Sequence, residues 1–280
     1  MVRQPGAQAI IFLTHVASAR IVRHFERLRE EVHPLLPAFL CVHGAASAAP
    51  CYRDADLTVS LENGRALLPG RYDEMNRCGL KINKGFGDLA YFPAMLSPNL
   101  ARYDYFWLVE YDVDFAGDWL QFFGLAMTST ADLIGTALQH RPAHLDWQHW
   151  ARFEPPSDVT ERSQVRGFFP LARFSRRLIE SYVETMASGE WRGHHEAAIP
   201  TIALDQGLTI ADLGFGPYCP DTWRRSHYRG VYHPREAAAA PTFVYRPPVS
   251  QSYFHEASAA FPQHGLLYHP VKVSSAEPVH

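Results

Sequence analysis

Hydrophobic and polar positions follow two different periods along the first 45 residues of the chain. Residues 9–16 are an apolar run that Thr14 and His15 interrupt near its end, which is typical of a buried strand. Ser18 follows as a helix N-cap, and the next apolar residues fall on one helix face: Ile21, Val22, Phe25 and Leu28. Pro34 and Pro37 end this helix before a second apolar run. Strand, helix and strand in this order predict a parallel pair with a right-handed crossover.

The rest of the chain continues this alternation. The strongest strand signal covers residues 102–110, where aromatic and β-branched residues occur together. The pattern predicts further strands at 57–59, 132–136 and 208–212, a strand or turn at 167–173, and a loop over most of 44–70. It predicts helices at 88–98, 175–187 and 197–207, the last beginning near Pro200. We therefore expect an α/β fold with a Rossmann-type mixed or parallel central sheet flanked by helices.

The two ends of the chain differ in character. Residues 1–235 carry the alternating strands and helices, whereas residues 236–280 contain stretches rich in Ala, Pro and Ser. We expect one domain over 1–235 and an irregular C-terminal extension over 236–280.

Composition narrows the classes of protein to which the chain can belong. The 280 residues include 47% apolar residues and carry a formal net charge of −3, so a sizeable core is expected and nucleic acid is not. No stretch has the length of a transmembrane segment, and the apolar first strand is a poor signal peptide. The four cysteines form no C-x-x-C pair, although one bridge between Cys41 and Cys51 stays open. These features favour a cytoplasmic protein, with attachment to the inner face of a membrane as an alternative.

Three acidic residues follow directly on the strongest strand. Glu110, Asp112 and Asp114 lie in the sequence VEYDVDF, where the strand ends. Ligands of open α/β sheets bind at the carboxyl ends of strands, so these carboxylates are expected to face a crevice. Burying several carboxylates together is costly without a cation, and carboxylate oxygens suit Mg²⁺ or Mn²⁺. A solvated acidic turn is the simpler interpretation of a bare Asp-x-Asp pair.

The run YDYFWLVEYDVDFAGDW resembles the DXD segment of GT-A fold glycosyltransferases. In that family a strand delivers an Asp-x-Asp pair to a divalent metal and to the diphosphate of the donor. The matching positions here are Asp112 and Asp114, followed by Gly117, Asp118 and Trp119. The resemblance implies that Asp112 contacts both metal and donor, and that Thr14 and His15 border the nucleoside.

The resemblance also implies a role for the tail. Many GT-A enzymes use a late histidine as a further metal ligand, and GLLYHPVK resembles that element. His269 is then a ligand that favours Mn²⁺ over Mg²⁺, and Lys272 a contact to a donor phosphate. The extension would accordingly fold back over the active site. A surface histidine is the alternative interpretation of His269.

A candidate catalytic base stands before the last predicted helix. In several inverting GT-A families an acid at the start of a late helix faces the acceptor, and HHEAAIPTIALDQGL is similar to that element. Glu196 takes the place of this acid, where it would accept the proton of the acceptor hydroxyl. Glutamate at a helix start is also favoured by the helix dipole alone. Asp205 is the second candidate, although on one unbroken helix it points away from Glu196.

Residues that can contact the acceptor are expected near these acids. Arg166 and Arg173 flank GFFPLA, and a similar segment lies beside the acceptor site in GT-A enzymes. Arg173 would hold a phosphate or an acidic sugar, and Trp150 and Trp191 would stack on sugar rings. Ordinary surface charge for the arginines and core packing for the tryptophans are the alternatives.

Together these observations predict a metal-dependent glycosyltransferase of polysaccharide biosynthesis, with Mn²⁺ or Mg²⁺ as cofactor. The expected donor is a nucleotide-diphosphate sugar, the acceptor a glycan or a lipid-linked molecule, and the mechanism inverting. A metal-dependent phosphoesterase or nucleotidyltransferase would use the same acids but usually needs further carboxylates or histidines. A non-catalytic module that binds nucleotide sugars is the third alternative.

Overall fold

The computed structural model describes residues 6–82, 84–223, 227–230, 241–245, 252–256 and 261–272. The strands of this part are β1 (Gln8–Thr14), β2 (Ala38–His43), β3 (Leu57–Val59), β4 (Tyr105–Glu110), β5 (Asp114–Phe115), β6 (Leu133–His140), β7 (Val165–Ser175), β8 (Ile210–Asp212) and β9 (Leu267–Tyr268). Its α-helices are α1 (Ala19–Val32), α2 (Leu61–Leu67), α3 (Pro69–Arg77), α4 (Asp88–Met95), α5 (Trp119–Ala126), α6 (Arg176–Ala187) and α7 (His195–Asp205). None of these described helices is both long enough and apolar enough to cross a membrane.

A seven-stranded sheet forms the centre of the fold, in the order β3-β2-β1-β4-β7-β6-β8. The pairs β1–β2, β2–β3, β1–β4 and β6–β8 are parallel, whereas β7 runs antiparallel to both β4 and β6. Strands β5 and β9 form a separate antiparallel pair. The α/β class and the mixed, mostly parallel central sheet predicted from the sequence are confirmed.

Helices cover both faces of this sheet. One core contains the apolar side chains of α1 and α5, and the other those of α4, α6 and α7. Strand β1 supplies both cores, because alternate side chains of a strand point to opposite faces: Ile10 and Phe12 enter one core, and Ile11 and Leu13 the other. This two-sided burial explains why residues 9–13 of β1 are all apolar.

The first strand–helix–strand unit forms as the sequence predicts. The side chain of Ser18 accepts a hydrogen bond from the backbone N–H of Arg20 and caps α1. Helix α1 buries Ile21, Phe25 and Leu28, and β2 then pairs in parallel with β1. The carboxyl ends of β1 and β4 consequently lie side by side, with Leu13 opposite Glu110.

Three stretches depart from the sequence expectations. The expected loop over 44–70 contains α2 and the start of α3, because Ser60 and Asn63 form a reciprocal capping box at the start of α2. Helix α7 begins at His195, so the expected start near Pro200 is wrong; the His194 side chain caps it by accepting from the Glu196 N–H. The segment expected as a strand or turn at 167–173 is the long strand β7.

The described parts of the C-terminal region pack against the sheet domain. Strand β9 pairs with β5, and the backbone N–H of Val271 donates to the carbonyl of Asp112. The predicted division at residue 235 falls outside the described residues and stays a prediction. All four cysteines are free thiols, so Cys41 and Cys51 do not form the bridge left open by the sequence.

Candidate functional site

Three potential metal ligands meet at the carboxyl end of β4. Glu110 is the last residue of β4, Asp112 lies in the turn that follows, and His269 follows β9. One carboxylate oxygen of each acid and one ring nitrogen of His269 all lie within 4.8 Å of one another. A hard divalent cation binds oxygen ligands at about 2.0–2.2 Å, so a slight inward movement of the side chains would let all three reach one ion.

The contact between Asp112 and His269 fits a cation site. The Nδ1 atom of His269 lies 2.8 Å from the carbonyl oxygen of Val244, which can only accept a hydrogen bond. Burial lowers the pKa of His269, so the ring is neutral, Nδ1 carries the proton and Nε2 presents a lone pair. That Nε2 lies 3.6 Å from Asp112 Oδ1, a buried oxygen with no hydrogen-bond partner among the described residues. Two lone-pair atoms thus face each other, which a cation would stabilise.

Glu110 adds a second carboxylate to this group. Burial, and then the charges of Asp112 and Glu196, raise the pKa of Glu110 to about 8, against a lowering by Lys272. Clustered carboxylates resist ionisation together unless a cation compensates their charge. Sequence reasoning did not choose Glu110 as a ligand, although it stands two residues before Asp112 with the same spacing as the expected Asp-x-Asp pair.

Asp114, the expected partner of Asp112, is not part of this group. Its Oδ1 accepts from Arg27 Nη1 at 2.9 Å and from the N–H of Phe115 at 2.7 Å. Its Oδ2 accepts from the N–H of Phe254 at 2.7 Å. Asp114 is fully buried and both its oxygens are occupied, so it holds α1 and the C-terminal region to β5. Of the expected set Asp112, Asp114 and His269, the structure brings together Asp112 and His269, with Glu110 as the third potential ligand instead of Asp114.

Lys272 lies directly against the candidate metal site. Its Nζ atom forms an ion pair with Asp112 Oδ2 and donates to the Tyr111 hydroxyl at 3.0 Å. Burial opposes the charge of Lys272, but Asp112 outweighs it, so the pKa of Lys272 is raised and the ammonium stays charged. The positive charge of Lys272 therefore lies against Asp112, at the edge of the candidate metal site.

Thr14 and His15 lie at the neighbouring end of β1, where the nucleoside was expected. Thr14 is buried, and its hydroxyl exchanges hydrogen bonds with the backbone of Val16. The exposed ring of His15 meets the ring of Tyr111 edge-on at 5.2 Å. His43, at the end of β2, was not expected here; its buried Nε2 has no hydrogen-bond partner among the described residues. Polar and aromatic groups thus lie at the ends of β1 and β2, beside the candidate metal site.

Glu196 lies close enough to the acidic group to influence it. Its Oε1 accepts from the backbone N–H of Phe169 at 3.2 Å, and its Oε2 lies 3.6 Å from His194 Nδ1. Burial raises the pKa of Glu196 to about 7, although the hydrogen bond from Phe169 and the charge of Arg166 lower it. The charge of Glu196 also raises the pKa of Glu110, after burial and the charge of Asp112.

Asp205 lies at the opposite end of α7 from Glu196. The helix spans His195–Asp205, so the two acids are separated by about 13 Å along its axis. Asp205 is exposed and accepts from the side chain of Gln206 at 3.0 Å. The structure therefore does not bring the second candidate base to the acidic group.

The three residues expected at the acceptor are buried in the protein. Arg173 is fully buried and donates to the carbonyl oxygens of Ala126, Ser129 and Ala131. It fastens β7 to the segment after α5, and burial lowers its pKa to about 10. The indoles of Trp150 and Trp191 are buried and both pack against Phe153. The expectation that these three contact an acceptor is corrected accordingly.

A buried ion-pair network fixes the loop that precedes Glu196. Arg71 donates to Asp88 Oδ2 at 2.9 Å, to Glu74 Oε2 at 2.6 Å and to the carbonyl oxygen of Gly193 at 2.7 Å. Glu74 in turn accepts from the N–H of Gly193 at 2.8 Å. Since Gly193 lies three residues before Glu196, this network sets the start of α7.

The phenol of Tyr91 is a further polar group that sequence reasoning missed. Its hydroxyl is buried without a hydrogen-bond partner in the described part of the chain, and burial raises its pKa strongly, followed by Asp88, Tyr182, Glu196 and Glu110. The signal in the sequence was weak, because Tyr91 lies within the apolar helix α4 and resembles a core residue there.

Comparison with models of known protein families gave no match for this chain. Comparison with curated proteins gave no match either.

Proposed function

We propose that this protein is a metal-dependent glycosyltransferase that uses a nucleotide-diphosphate sugar as donor. The observation that carries the proposal is the buried contact between Asp112 Oδ1 and the neutral His269 Nε2, with Glu110 beside them. The donor set of two carboxylates and one imidazole suits Mn²⁺, and Mg²⁺ less well because of the nitrogen ligand. The site lies at the carboxyl end of the central strand, where open α/β sheets bind nucleotides.

The residues around the metal site have distinct proposed roles toward the donor. Glu110, Asp112 and His269 would hold the ion, which when bound stabilises the charge of the departing nucleoside diphosphate. Lys272 would exchange part of its contact with Asp112 for a phosphate oxygen of the donor. Thr14 and His15 would border the nucleoside at the end of β1.

Glu196 is the proposed catalytic base. As the acceptor hydroxyl attacks the anomeric carbon, the new carbon–oxygen bond forms and the bond to the diphosphate breaks. The hydroxyl proton passes to the carboxylate of Glu196, and the diphosphate leaves with the electron pair. A pKa of about 7 suits this task, because a base is most effective when its pKa lies near the working pH. Direct attack from the opposite face inverts the configuration at the anomeric carbon.

The proposal is tested by a thermal-shift panel of nucleotide-diphosphate sugars, each with Mn²⁺ and with EDTA. We expect one donor class to raise the melting temperature only with Mn²⁺, because ligands that bind the native state stabilise it. Incubation of that donor with candidate glycan and lipid-linked acceptors should then yield a glycosylated product. Cleavage of the diphosphate without sugar transfer would instead indicate a phosphoesterase or nucleotidyltransferase, and binding without turnover a non-catalytic module. Either result would reject the proposal.

A further inference from the structure

A cavity of about 270 Å³ lies between the α3–α4 connection and the loop that precedes α7. Four cationic side chains and two imidazoles line it: Arg77, Lys84, Arg152, Arg192, His149 and His194. None of the residues assigned above to the metal or the donor lines it. The cavity is therefore distinct from the metal site, and its composition is strongly basic.

The acidic residues of the cavity wall are already engaged. Glu74 accepts from Arg71 and from the N–H of Gly193, and Glu154 lies 3.7 Å from Arg192. By contrast, Arg77 and Arg152 have no ion-pair or hydrogen-bond partner within the described residues. Lys84 contacts only a phenol there, the hydroxyl of Tyr245 at 3.4 Å. Within the part of the chain that the structure describes, the charges of Arg77, Lys84 and Arg152 are thus not compensated by an acidic side chain.

Burial, and then the positive charges around the cavity, lower the pKa of two histidines in its wall, His149 and His194. The rings of His149 and His194 lie 4.0 Å apart between centroids. Burial lowers the pKa of His149, and the charges of Arg152 and Lys84 lower it further. Burial likewise lowers the pKa of His194, followed by neighbouring histidines and by Arg71 and Arg152. Both rings therefore stay neutral at pH 7, and each neutral ring has one N–H that can donate a hydrogen bond to an anion.

The cavity adjoins the proposed chemistry on two sides. His194, in its wall, lies 3.6 Å from the carboxylate of Glu196. Lys84, at its rim, contacts Tyr245, and the adjacent Val244 bonds to His269 through both backbone and ring. The side chain of His194 thus lies in the cavity wall on one side and beside the carboxylate of Glu196 on the other.

We propose that this cavity binds an anionic group of the acceptor, a phosphate or a carboxylate, and thereby places an acceptor hydroxyl beside Glu196. The assignment of the ligand as acceptor rests on the proposed glycosyltransferase function, whereas binding of the anion does not. Guanidinium groups recognise both anions in the same bidentate manner, so the chemistry is shared. A phosphorylated lipid or sugar and an acidic sugar are the two sources to be separated.

Calorimetry in EDTA tests the cavity without the metal or the donor. Inorganic phosphate, inorganic pyrophosphate and glucuronate are titrated separately into the protein, with glucose as the neutral match for glucuronate. We expect at least one anion to bind and glucose not to bind. The Arg77→Ala/Arg152→Ala variant should bind the anion at least tenfold more weakly than the wild type. Arg162 is an exposed arginine elsewhere, and Arg162→Ala should leave this affinity unchanged. The Arg77→Lys/Arg152→Lys variant should recover part of the affinity if charge and not folding is responsible.

The anion that binds identifies the source. Affinity for phosphate or pyrophosphate indicates a phosphorylated acceptor, and affinity for glucuronate indicates an acidic sugar. No anion binding by the wild type, or equal binding by the Arg77→Ala/Arg152→Ala variant, would overturn the proposal even if nucleotide sugars bind with Mn²⁺. Conversely, loss of anion binding in that variant together with failure of every nucleotide sugar would retain the anion site and reject the glycosyltransferase.

Discussion

At the scale of single residues, the two candidate bases now have clearly different surroundings. Glu196 is largely buried beside His194 and influences Glu110, whereas Asp205 is exposed at the other end of α7. The raised pKa of Glu196, about 7, is that of a carboxylate able to accept a proton near neutral pH. The structure therefore separates two residues that the sequence could only rank.

Replacing Glu196 by Gln should abolish most turnover. We expect Glu196→Gln to lower kcat by about a hundredfold to ten-thousandfold, because the variant keeps the shape of the side chain but cannot accept the proton. Donor affinity should change little, since the metal ligands are untouched. Asp205→Asn is the matched control and should retain wild-type turnover. Normal turnover by Glu196→Gln with donor and acceptor present would remove Glu196 from the mechanism.

The same substitution should show a pH-dependent effect on stability. The folded protein raises the pKa of Glu196 from 4.5 to about 7, so its stabilising contribution is complete below about pH 4.5 and is lost as the pH rises through 7. Glu196→Gln has no such proton, and its free energy of unfolding should rise relative to the wild type over this interval by at most roughly 3 kcal/mol. Urea unfolding of both proteins at pH 4.5 and pH 8 measures the difference. If the difference in free energy of unfolding between the two proteins does not change with pH, the pKa of Glu196 is not raised by burial.

At the scale of elements, the strong periodicities were predictable and the weak ones were not. Strand β4 and helices α1 and α6 follow from their apolar patterns, because tertiary packing there agrees with local preference. Helix α2 depends on the capping box of Ser60 and Asn63 in a polar stretch that reads as loop. Helix α7 extends past Pro200, although the missing N–H of this proline removes one helical hydrogen bond. Burial of the side chains of residues 197–203 compensates for this loss.

Asp114, the first residue of β5, and Asp112, in the turn before it, provide the clearest test at this scale. Asp114→Asn should lower the free energy of unfolding by about 3 kcal/mol, because it breaks the buried ion pair with Arg27. It should leave the affinity for Mn²⁺ near that of the wild type. Asp112→Asn should instead lower the affinity for Mn²⁺ at least tenfold, with the smaller effect on the free energy of unfolding.

Chemical denaturation and titration of Mn²⁺, followed by electron paramagnetic resonance, measure the two effects separately. Loss of Mn²⁺ binding in a folded Asp114→Asn protein would restore the original Asp112–Asp114 pair as the metal site and exclude the set with Glu110.

At the scale of the whole molecule, the site depends on contacts between distant parts of the chain. His269 reaches Asp112 because β9 pairs with β5 and because Val271 bonds to the backbone of Asp112. The resemblance to the DXD segment predicted that Asp112 and His269 lie close together, and the structure places them 3.6 Å apart at the end of β4. The resemblance did not predict the position of Asp114. Glu110, Asp112 and Asp114 alternate with other residues in the sequence, and this pattern does not show which of them lie near His269 and which contacts Arg27.

Arg173, Trp150 and Trp191 were misassigned for a related reason. Long amphipathic and aromatic side chains serve equally well in a binding site and in a core, and only packing decides between them. The basic cavity could not be predicted from the sequence. Its arginines come from separate segments around 77, 152 and 192, which only the fold brings together.

The central claim is that donor and metal bind together at Glu110, Asp112 and His269. The most direct measurement is calorimetric titration of the nucleotide-diphosphate sugar selected by the thermal-shift panel, with Mn²⁺ and with EDTA, into the wild type and Asp112→Asn. We predict binding by the wild type only with Mn²⁺, and at least tenfold weaker binding by the folded variant, about 1.4 kcal/mol or more. Equal affinity in EDTA, or undiminished affinity in Asp112→Asn, would contradict the account.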